Sequence, residues 1–143
     1  MSQKINTNKF LKNVRIGLWR IEVEEGKLPR FYADEVMDEL LGISFSNIGT
    51  VGREAMVTSE EVGEACKMYA KIHLDPGCEV GYHYHHGETE SYFILTGHGT
   101  YDDNGEKQPA NPGDLFLCKD GDAHGIKNTG DEELTFMALI LKK

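Results

Sequence analysis

The sequence predicts a single all-β domain in which short strands form a barrel or a sandwich. Short stretches with two-residue apolar alternation follow one another at intervals of about 8–12 residues, a spacing that is typical of such folds. Residues 68–74 alternate in this way and end at the strong turn Asp75-Pro76-Gly77, and residues 134–141 form a final apolar strand. With 143 residues the chain is long enough for one hydrophobic core, and a second domain would not fit.

An N-terminal extension precedes these strands. Residues 1–13 are rich in lysine, asparagine and glutamine, and we expect them to be a loosely held end. Residues 14–23 alternate imperfectly, which indicates a strand or an arm. Such an arm could pair with the sheet edge of a second subunit, so we expect a homodimer.

One short helix is predicted over residues 33–41, with Gly42 as its stop signal. The residues that share its apolar face are Val36, Met37, Leu40 and Leu41. Residues 43–64 contain stretches between glycines that are compatible with strands. We therefore expect an N-terminal part, residues 1–65, with the arm, the helix and the first barrel strands, and a barrel core over residues 66–143.

The charge of the chain limits its partners. Fifteen lysine and arginine residues against 24 aspartate and glutamate residues give a formal net charge of −9 and a pI of about 5.1. This charge opposes binding to nucleic-acid phosphates and to anionic membrane surfaces, so we expect no nucleic-acid partner. No apolar run approaches the about 18 residues of a membrane span, and residues 1–15 lack the apolar segment of a signal peptide. We expect a cytoplasmic protein with no membrane partner.

The cysteines do not indicate a site. Cys66, Cys78 and Cys118 are odd in number and form no C-x-x-C pattern. Neither a disulfide framework nor a cysteine zinc site is therefore expected, and we interpret the three as ordinary small apolar residues.

Residues 77–97 contain the strongest indication of a functional site. Successive side chains of a strand point to opposite faces, so His83 and His85 project the same way, with Tyr84 opposite. Gly87 permits a turn, after which the next apolar run can return as a neighbouring strand with Glu90 at its start. Two imidazoles and a carboxylate suit divalent zinc, manganese, iron, nickel or cobalt better than calcium or magnesium. We therefore expect one divalent transition-metal ion.

Two segments resemble the two motifs of the cupin superfamily. Residues 77–97 match the first motif, G-x5-H-x-H-x4-E-x6-G, at every fixed position. Residues 113–128 resemble the second, G-x5-P-x-G-x2-H-x3-N, although Lys119 stands where that pattern has proline. The matching residues are Gly77, His83, His85, Glu90 and Gly97 in the first segment and Gly113, Gly121, His124 and Asn128 in the second. The spacing between the segments is similar to that of small single-domain prokaryotic cupins.

The resemblance implies a double-stranded β-helix, the jelly-roll barrel of the cupins, with an ion of zinc, manganese, iron or nickel inside it. The metal ligands that it implies are His83, His85, Glu90 and His124. Of the other histidines, His86 points away from its neighbours, and His73 and His98 fit no ligand spacing. We interpret these three as structural or solvated, with His73 on the polar face of its strand.

The resemblance leaves the reaction open. Similar barrels host dioxygenases, sugar-phosphate isomerases and enzymes of carboxylate chemistry, which implies a metal-dependent enzyme acting on a small polar molecule. A non-catalytic protein that binds or senses a small ligand is the alternative. Alternation turns Tyr92 inward, either as a hydrogen-bond donor to the site or as an aromatic that fills the barrel. No general base or nucleophile stands at a diagnostic spacing, so no catalytic residue is assigned.

Overall fold

The structure, a computed structural model, describes residues 31–33 and 47–143. This part contains ten strands and one short helix. In chain order they are β1 (Phe31–Ala33), β2 (Val51–Val57), α1 (Ser59–Val62), β3 (Cys66–Leu74), β4 (Glu79–Tyr84), β5 (Glu88–Thr96), β6 (Gly99–Asp103), β7 (Glu106–Ala110), β8 (Leu115–Cys118), β9 (Ala123–Lys127) and β10 (Leu134–Lys142).

The strands form two antiparallel sheets. One has six strands in the order β1-β2-β3-β10-β5-β8, and the other has four strands in the order β4-β9-β6-β7. Each described strand pair is antiparallel. Two facing antiparallel sheets with this order form a jelly-roll barrel, which confirms the predicted all-β fold.

The hydrophobic core lies between the two sheets. Residues of the six-stranded sheet such as Ile72 and Phe136 pack in one apolar cluster with Tyr101 and Ile126 of the four-stranded sheet. All four side chains are at most 2% exposed. Full burial of one such side chain contributes about 1.5–3 kcal/mol to folding, so the two inner faces hold the sheets together.

Two tight turns follow from particular residue types. The hairpin between β6 and β7 is closed by Asn104 and Gly105, which have φ angles of 51° and 91°. Positive φ at both central residues is the requirement of a type I′ turn, which Asn-Gly satisfies at low cost. Gly97 has a φ of +80°, and a Cβ there would lie 2.5 Å from the carbonyl oxygen of Glu133. Only glycine fits this close approach of two chain segments.

The N-terminal expectations are only partly covered by the structure. The predicted arm over residues 14–23 lies outside the described residues. So does the predicted helix over residues 33–41, except that Ala33 is the last residue of β1. The division of the chain at residue 65 stays a prediction.

Residues 59–62 differ from the expectation of strands. They form the single-turn helix α1, because Thr58 and Glu61 make a capping box. The Thr58 backbone N–H donates to Glu61 Oε1 at 2.9 Å, and the Glu61 N–H donates to the Thr58 hydroxyl at 3.3 Å. These reciprocal bonds satisfy donors that a helix start otherwise leaves unpaired. Within the described ranges, no helix has the length and apolar character needed to cross a membrane.

Candidate metal centre

Four side chains from three strands converge inside the barrel. His83 lies in β4, His85 directly follows β4, Glu90 lies in β5 and His124 lies in β9. Their ligand atoms all lie within 4.8 Å of one another, in an arrangement that could hold a metal ion. We call these four side chains the His3Glu cluster. The structure thus brings together the four residues that the sequence motifs single out.

The distances within the His3Glu cluster are short. The Nε2 atom of His85 lies 3.0 Å from the Nε2 atoms of both His83 and His124. Oε1 of Glu90 lies 2.8 Å from His124 Nε2, 3.1 Å from His85 Nε2 and 3.7 Å from His83 Nε2. Adjacent ligand atoms about 2.1 Å from an ion and at right angles to one another are about 3.0 Å apart. The spacing is therefore that of ligands around one ion.

The outer nitrogen of each imidazole has its own partner. His83 Nδ1 donates to the backbone carbonyl of Gly81 at 2.6 Å, which fixes its hydrogen on Nδ1. His85 Nδ1 lies 2.7 Å from Oε1 of Glu88, another acceptor. With hydrogens on these Nδ1 atoms, the neutral rings direct the lone pairs of Nε2 toward each other.

His124 has a different partner. Its Nδ1 atom lies 2.8 Å from the hydroxyl of Tyr101, which can donate or accept. The Tyr101 ring is held in turn by stacking on Phe116, with ring centroids 4.1 Å apart. The orientation of His124 is therefore tied to the aromatic packing of the core.

The donor set fits a divalent transition-metal ion. Nε2 lone pairs that face one another and a carboxylate oxygen need a cation between them. Imidazole nitrogen and carboxylate oxygen are ligands that manganese, iron, nickel and zinc accept. Acceptors on the Nδ1 atoms are the usual support for histidine ligands, because they fix the tautomer and raise the basicity of Nε2.

Burial and hydrogen bonding act in opposite directions on the charged groups. Burial raises the pKa of Glu90, but hydrogen bonds from His124, His83 and His85 outweigh it and hold the pKa well below 4.5. Burial lowers the pKa of His85, but hydrogen bonds to Glu90 and Glu88 leave it above 6.5. For His124, burial prevails and its pKa is lowered. In the metal-free protein Glu90 is therefore an anion beside a readily protonated His85.

Tyr92 forms a wall of the centre. Its side chain is 3% exposed, and its ring stacks on His124 with centroids 4.7 Å apart. On the opposite side it packs on Phe136 at 4.5 Å. Burial and the charge of Glu90 raise its pKa well above 10, so its hydroxyl stays protonated at neutral pH. Both roles expected for Tyr92, filling the barrel and bordering the site, are compatible with this position.

The other three histidines lie outside the His3Glu cluster. His86 is exposed and stacks on Tyr84, and His98 bonds Asn111 at 2.8 Å. His73 is on the outer face of its sheet as expected, but it is only 7% exposed. It lies between Glu54 and Glu133, at 3.3 Å and 3.4 Å, so its role is structural.

Sequence reasoning missed Glu88 and Tyr101. Glu88 lies two residues before Glu90 on the same strand, so the alternation that turned Glu90 inward could have identified it. Lys67 contacts Glu88 at 2.9 Å, which offsets the charge of that carboxylate. Tyr101 lies 23 residues from His124, and no local pattern connects the two.

The three cysteines are free, as the sequence indicated. Cys118 is buried and faces the interior beside Glu90, its pairing partner on β5. Burial, with a smaller effect of nearby carboxylates that include Asp122, raises the pKa of its thiol to about 12. Cys118 is therefore a neutral wall residue at ordinary pH.

Comparison with known proteins identifies relatives. The family model described as "Cupin domain" matches residues 70–140. A protein named oxalate-binding protein, from Thermotoga maritima, is 34% identical over 119 residues, which are 83% of this chain and 98% of that protein. The crystal structure of a predicted oxalate decarboxylase from Thermotoga maritima has a TM-score of 0.67 and 36% identity, and the match covers 68% of this chain and 85% of that one. A sugar phosphate isomerase from Silicibacter pomeroyi, with 20% identity, a TM-score of 0.56 and coverage of 65% and 60%, shares the fold alone.

Proposed function

This chain belongs to the cupin family, and we propose that it binds a small carboxylate anion such as oxalate at a divalent transition-metal ion held by the His3Glu cluster. The observation that carries the proposal is the convergence of three Nε2 atoms and one carboxylate oxygen, with acceptors on the Nδ1 atoms of His83 and His85. The ion would be manganese, iron, nickel or zinc. The cytoplasmic location stays a prediction.

The chemistry of the site favours an anionic ligand. An ion that accepts six ligands and receives four from the protein has two positions for a ligand, and it acts there as a Lewis acid. Two adjacent oxygens of a carboxylate or of a dicarboxylate fit such a pair of positions. Two relatives from Thermotoga maritima have names that refer to oxalate, which supports this ligand class.

The neighbouring side chains favour binding over turnover. Tyr92 and Tyr101 are the hydroxyls beside the cluster, and burial raises the pKa of both above 10. They can donate hydrogen bonds to a ligand but do not serve as bases at neutral pH. We therefore propose a carboxylate-binding protein. The alternative, a metal-dependent enzyme of carboxylate chemistry, is favoured by the complete set of four ligands.

The test is the titration of purified, manganese-loaded protein with oxalate by calorimetry, beside the same protein treated with EDTA. We expect binding to the loaded protein and none to the stripped protein. Oxalate binding that is equal in both samples, or absent from both, would contradict the proposal. Measurement of oxalate loss and formate release over hours in the loaded sample then separates the two alternatives, because a binding protein leaves oxalate intact.

We also propose that the outer face of the six-stranded sheet binds a second copy of the chain. Exposed apolar side chains on this face include Phe93 of β5, Leu115 and Leu117 of β8, and Leu141 of β10. Phe93 lies directly opposite Leu115, so the strands form a continuous apolar surface. The outward positions of β5, β8 and β10 are Thr89, Ser91, Phe93, Leu95, Leu115, Leu117, Thr135, Met137, Leu139 and Leu141.

None of these outward residues is charged, so two copies with a net charge of −9 each can meet here without direct repulsion. The test is light scattering during gel filtration. We expect twice the 16.0 kDa chain mass for the wild type and for Ile48→Lys, an exposed apolar site elsewhere, and monomer for the double variant Leu115→Lys/Leu117→Lys. A monomeric wild type, or a double variant that stays dimeric, would overturn this assignment.

A further inference from the structure

Arg53 is a cationic residue on the inner face of the barrel. In the pairing of β2 with β3, Arg53 is opposite Ile72, and its neighbours along the same face are opposite Leu74 and Ala70. These three partners on β3 are all at most 1% exposed and belong to the core. Arg53 therefore shares its face with core residues, whereas Glu54 shares the outer face with His73.

The guanidinium of Arg53 lies at the level of the His3Glu cluster. Its Nη1 atom contacts Sδ of Met68 at 3.1 Å. Met68 is paired with Ile140 on β10, and Ile140 is paired with Glu90 on β5. Since neighbouring strands are about 4.8 Å apart, Met68 and Glu90 are separated by about 10 Å across the concave face. A small ligand could bridge this interval.

The charge of Arg53 acts on the wall of the centre. Burial and Glu90 raise the pKa of Tyr92, and Arg53 is the group that opposes this rise. Tyr92 itself stacks on His124. The guanidinium is thus close enough to influence groups that contact the cluster.

The charges inside the barrel match those of a dicarboxylate. Glu90 offsets one of the two charges of a divalent ion, so the loaded cluster keeps one positive charge. The charge of Glu88 is offset by Lys67 at 2.9 Å. Arg53 adds a second positive charge, and the two together balance a dianion. A planar guanidinium is also the side chain best shaped to bind a carboxylate through two parallel hydrogen bonds.

We propose that Arg53 binds a carboxylate group of the ligand held at the His3Glu cluster and thereby selects dicarboxylates over monocarboxylates. This inference rests on the proposed function, since it concerns the ligand of the same site. Arg53 acts by contact with the ligand and takes no part in holding the ion.

The experiment compares manganese-loaded wild type, Arg53→Gln, Arg53→Lys and Lys71→Gln by calorimetric titration with oxalate, malonate and acetate. Lys71→Gln is the matched control, because it also removes one positive charge but lies on the outer face, opposite Glu54. We expect Arg53→Gln to weaken oxalate and malonate binding by about 10- to 100-fold, the value of a hydrogen-bonded ion pair, and to leave acetate binding unchanged. Arg53→Lys should keep part of the affinity, and Lys71→Gln all of it.

Metal content measured on the same samples separates the possible failures. The inference predicts one manganese ion per chain in all four proteins. It is overturned, with the proposed function intact, if Arg53→Gln binds dicarboxylates as tightly as the wild type does. It is also overturned if Arg53→Gln loses manganese together with oxalate while Arg53→Lys behaves as wild type in both, since Arg53 then supports the metal site. A loaded wild type that binds no carboxylate overturns both proposals.

Discussion

His83 is paired directly with His124 across β4 and β9 because β4 contains one extra residue before it. Val80 is paired with Ile126, so three steps along β4 correspond to two steps along β9. Without this bulge, Tyr82 would lie opposite His124, and His83 would point to the outer face. The backbone around Gly81 that forms the bulge also supplies the carbonyl that accepts from His83 Nδ1. One irregularity therefore aims the ligand and fixes its tautomer.

Glu88 should strengthen metal binding without being a ligand. Its contact with His85 Nδ1 at 2.7 Å stabilises the tautomer that presents Nε2 to the ion. We expect Glu88→Gln to raise the Kd for manganese by about 10- to 100-fold, as is usual when the partner of a histidine ligand is changed. Competition with a metal-sensitive dye measures the Kd. Glu106→Gln on the exposed β7 is the control, and equal affinity of the two variants would refute this role.

The stability of the metal-free protein should depend on the charge of Glu88. Burial raises the pKa of Glu88, but hydrogen bonds from His85 and Lys67 bring it below the ordinary 4.5. Because the folded pKa is below the unfolded one, the ionised carboxyl stabilises the fold above pH 4.5, and this contribution is lost as the pH falls through the folded pKa. After EDTA treatment, the Tm of the wild type should exceed that of Glu88→Gln at pH 6, and the difference should shrink toward pH 3. A difference that grows on acidification would show the opposite sign.

His73 should contribute to stability through two buried carboxylate contacts. Glu54 is 1% exposed, and within residues 31–33 and 47–143 its Oε1 atom has no hydrogen-bond partner, so the contact of Oε2 with His73 matters more. Removal of one partner of a buried ion pair costs about 3–5 kcal/mol. We expect a loss of this size for His73→Leu in urea denaturation, and a smaller loss for His73→Leu/Glu54→Leu, which removes both partners. An unchanged unfolding midpoint for His73→Leu would contradict this assignment.

Local pattern was sufficient for much of the site. Alternation placed His83 and His85 on one face, and the turn at Gly87 returned Glu90 to them, as the structure has it. Lys119 in place of proline does not prevent the second turn, since the Asp122 N–H donates to the Lys119 carbonyl at 3.0 Å and Gly121 has a φ of 88°.

Contacts that depend on tertiary structure could not be predicted in this way. The burial of His73 depends on Glu54 and Glu133, which are 19 and 60 residues away in sequence. The inward position of Arg53 follows only from the register of β2 on β3. Neither register nor bulge is encoded in a short window, because both are fixed by packing against distant strands.

The central claim is that the His3Glu cluster holds a metal ion, and elemental analysis of purified protein tests it most directly. The wild type should contain about one transition-metal ion per chain, as a structural set of four ligands implies. His124→Ala, which removes a cluster ligand, should contain none, and His98→Ala, which removes a histidine that instead contacts Asn111, should match the wild type. A wild type without metal, or a His124→Ala variant with a full complement, would contradict the account.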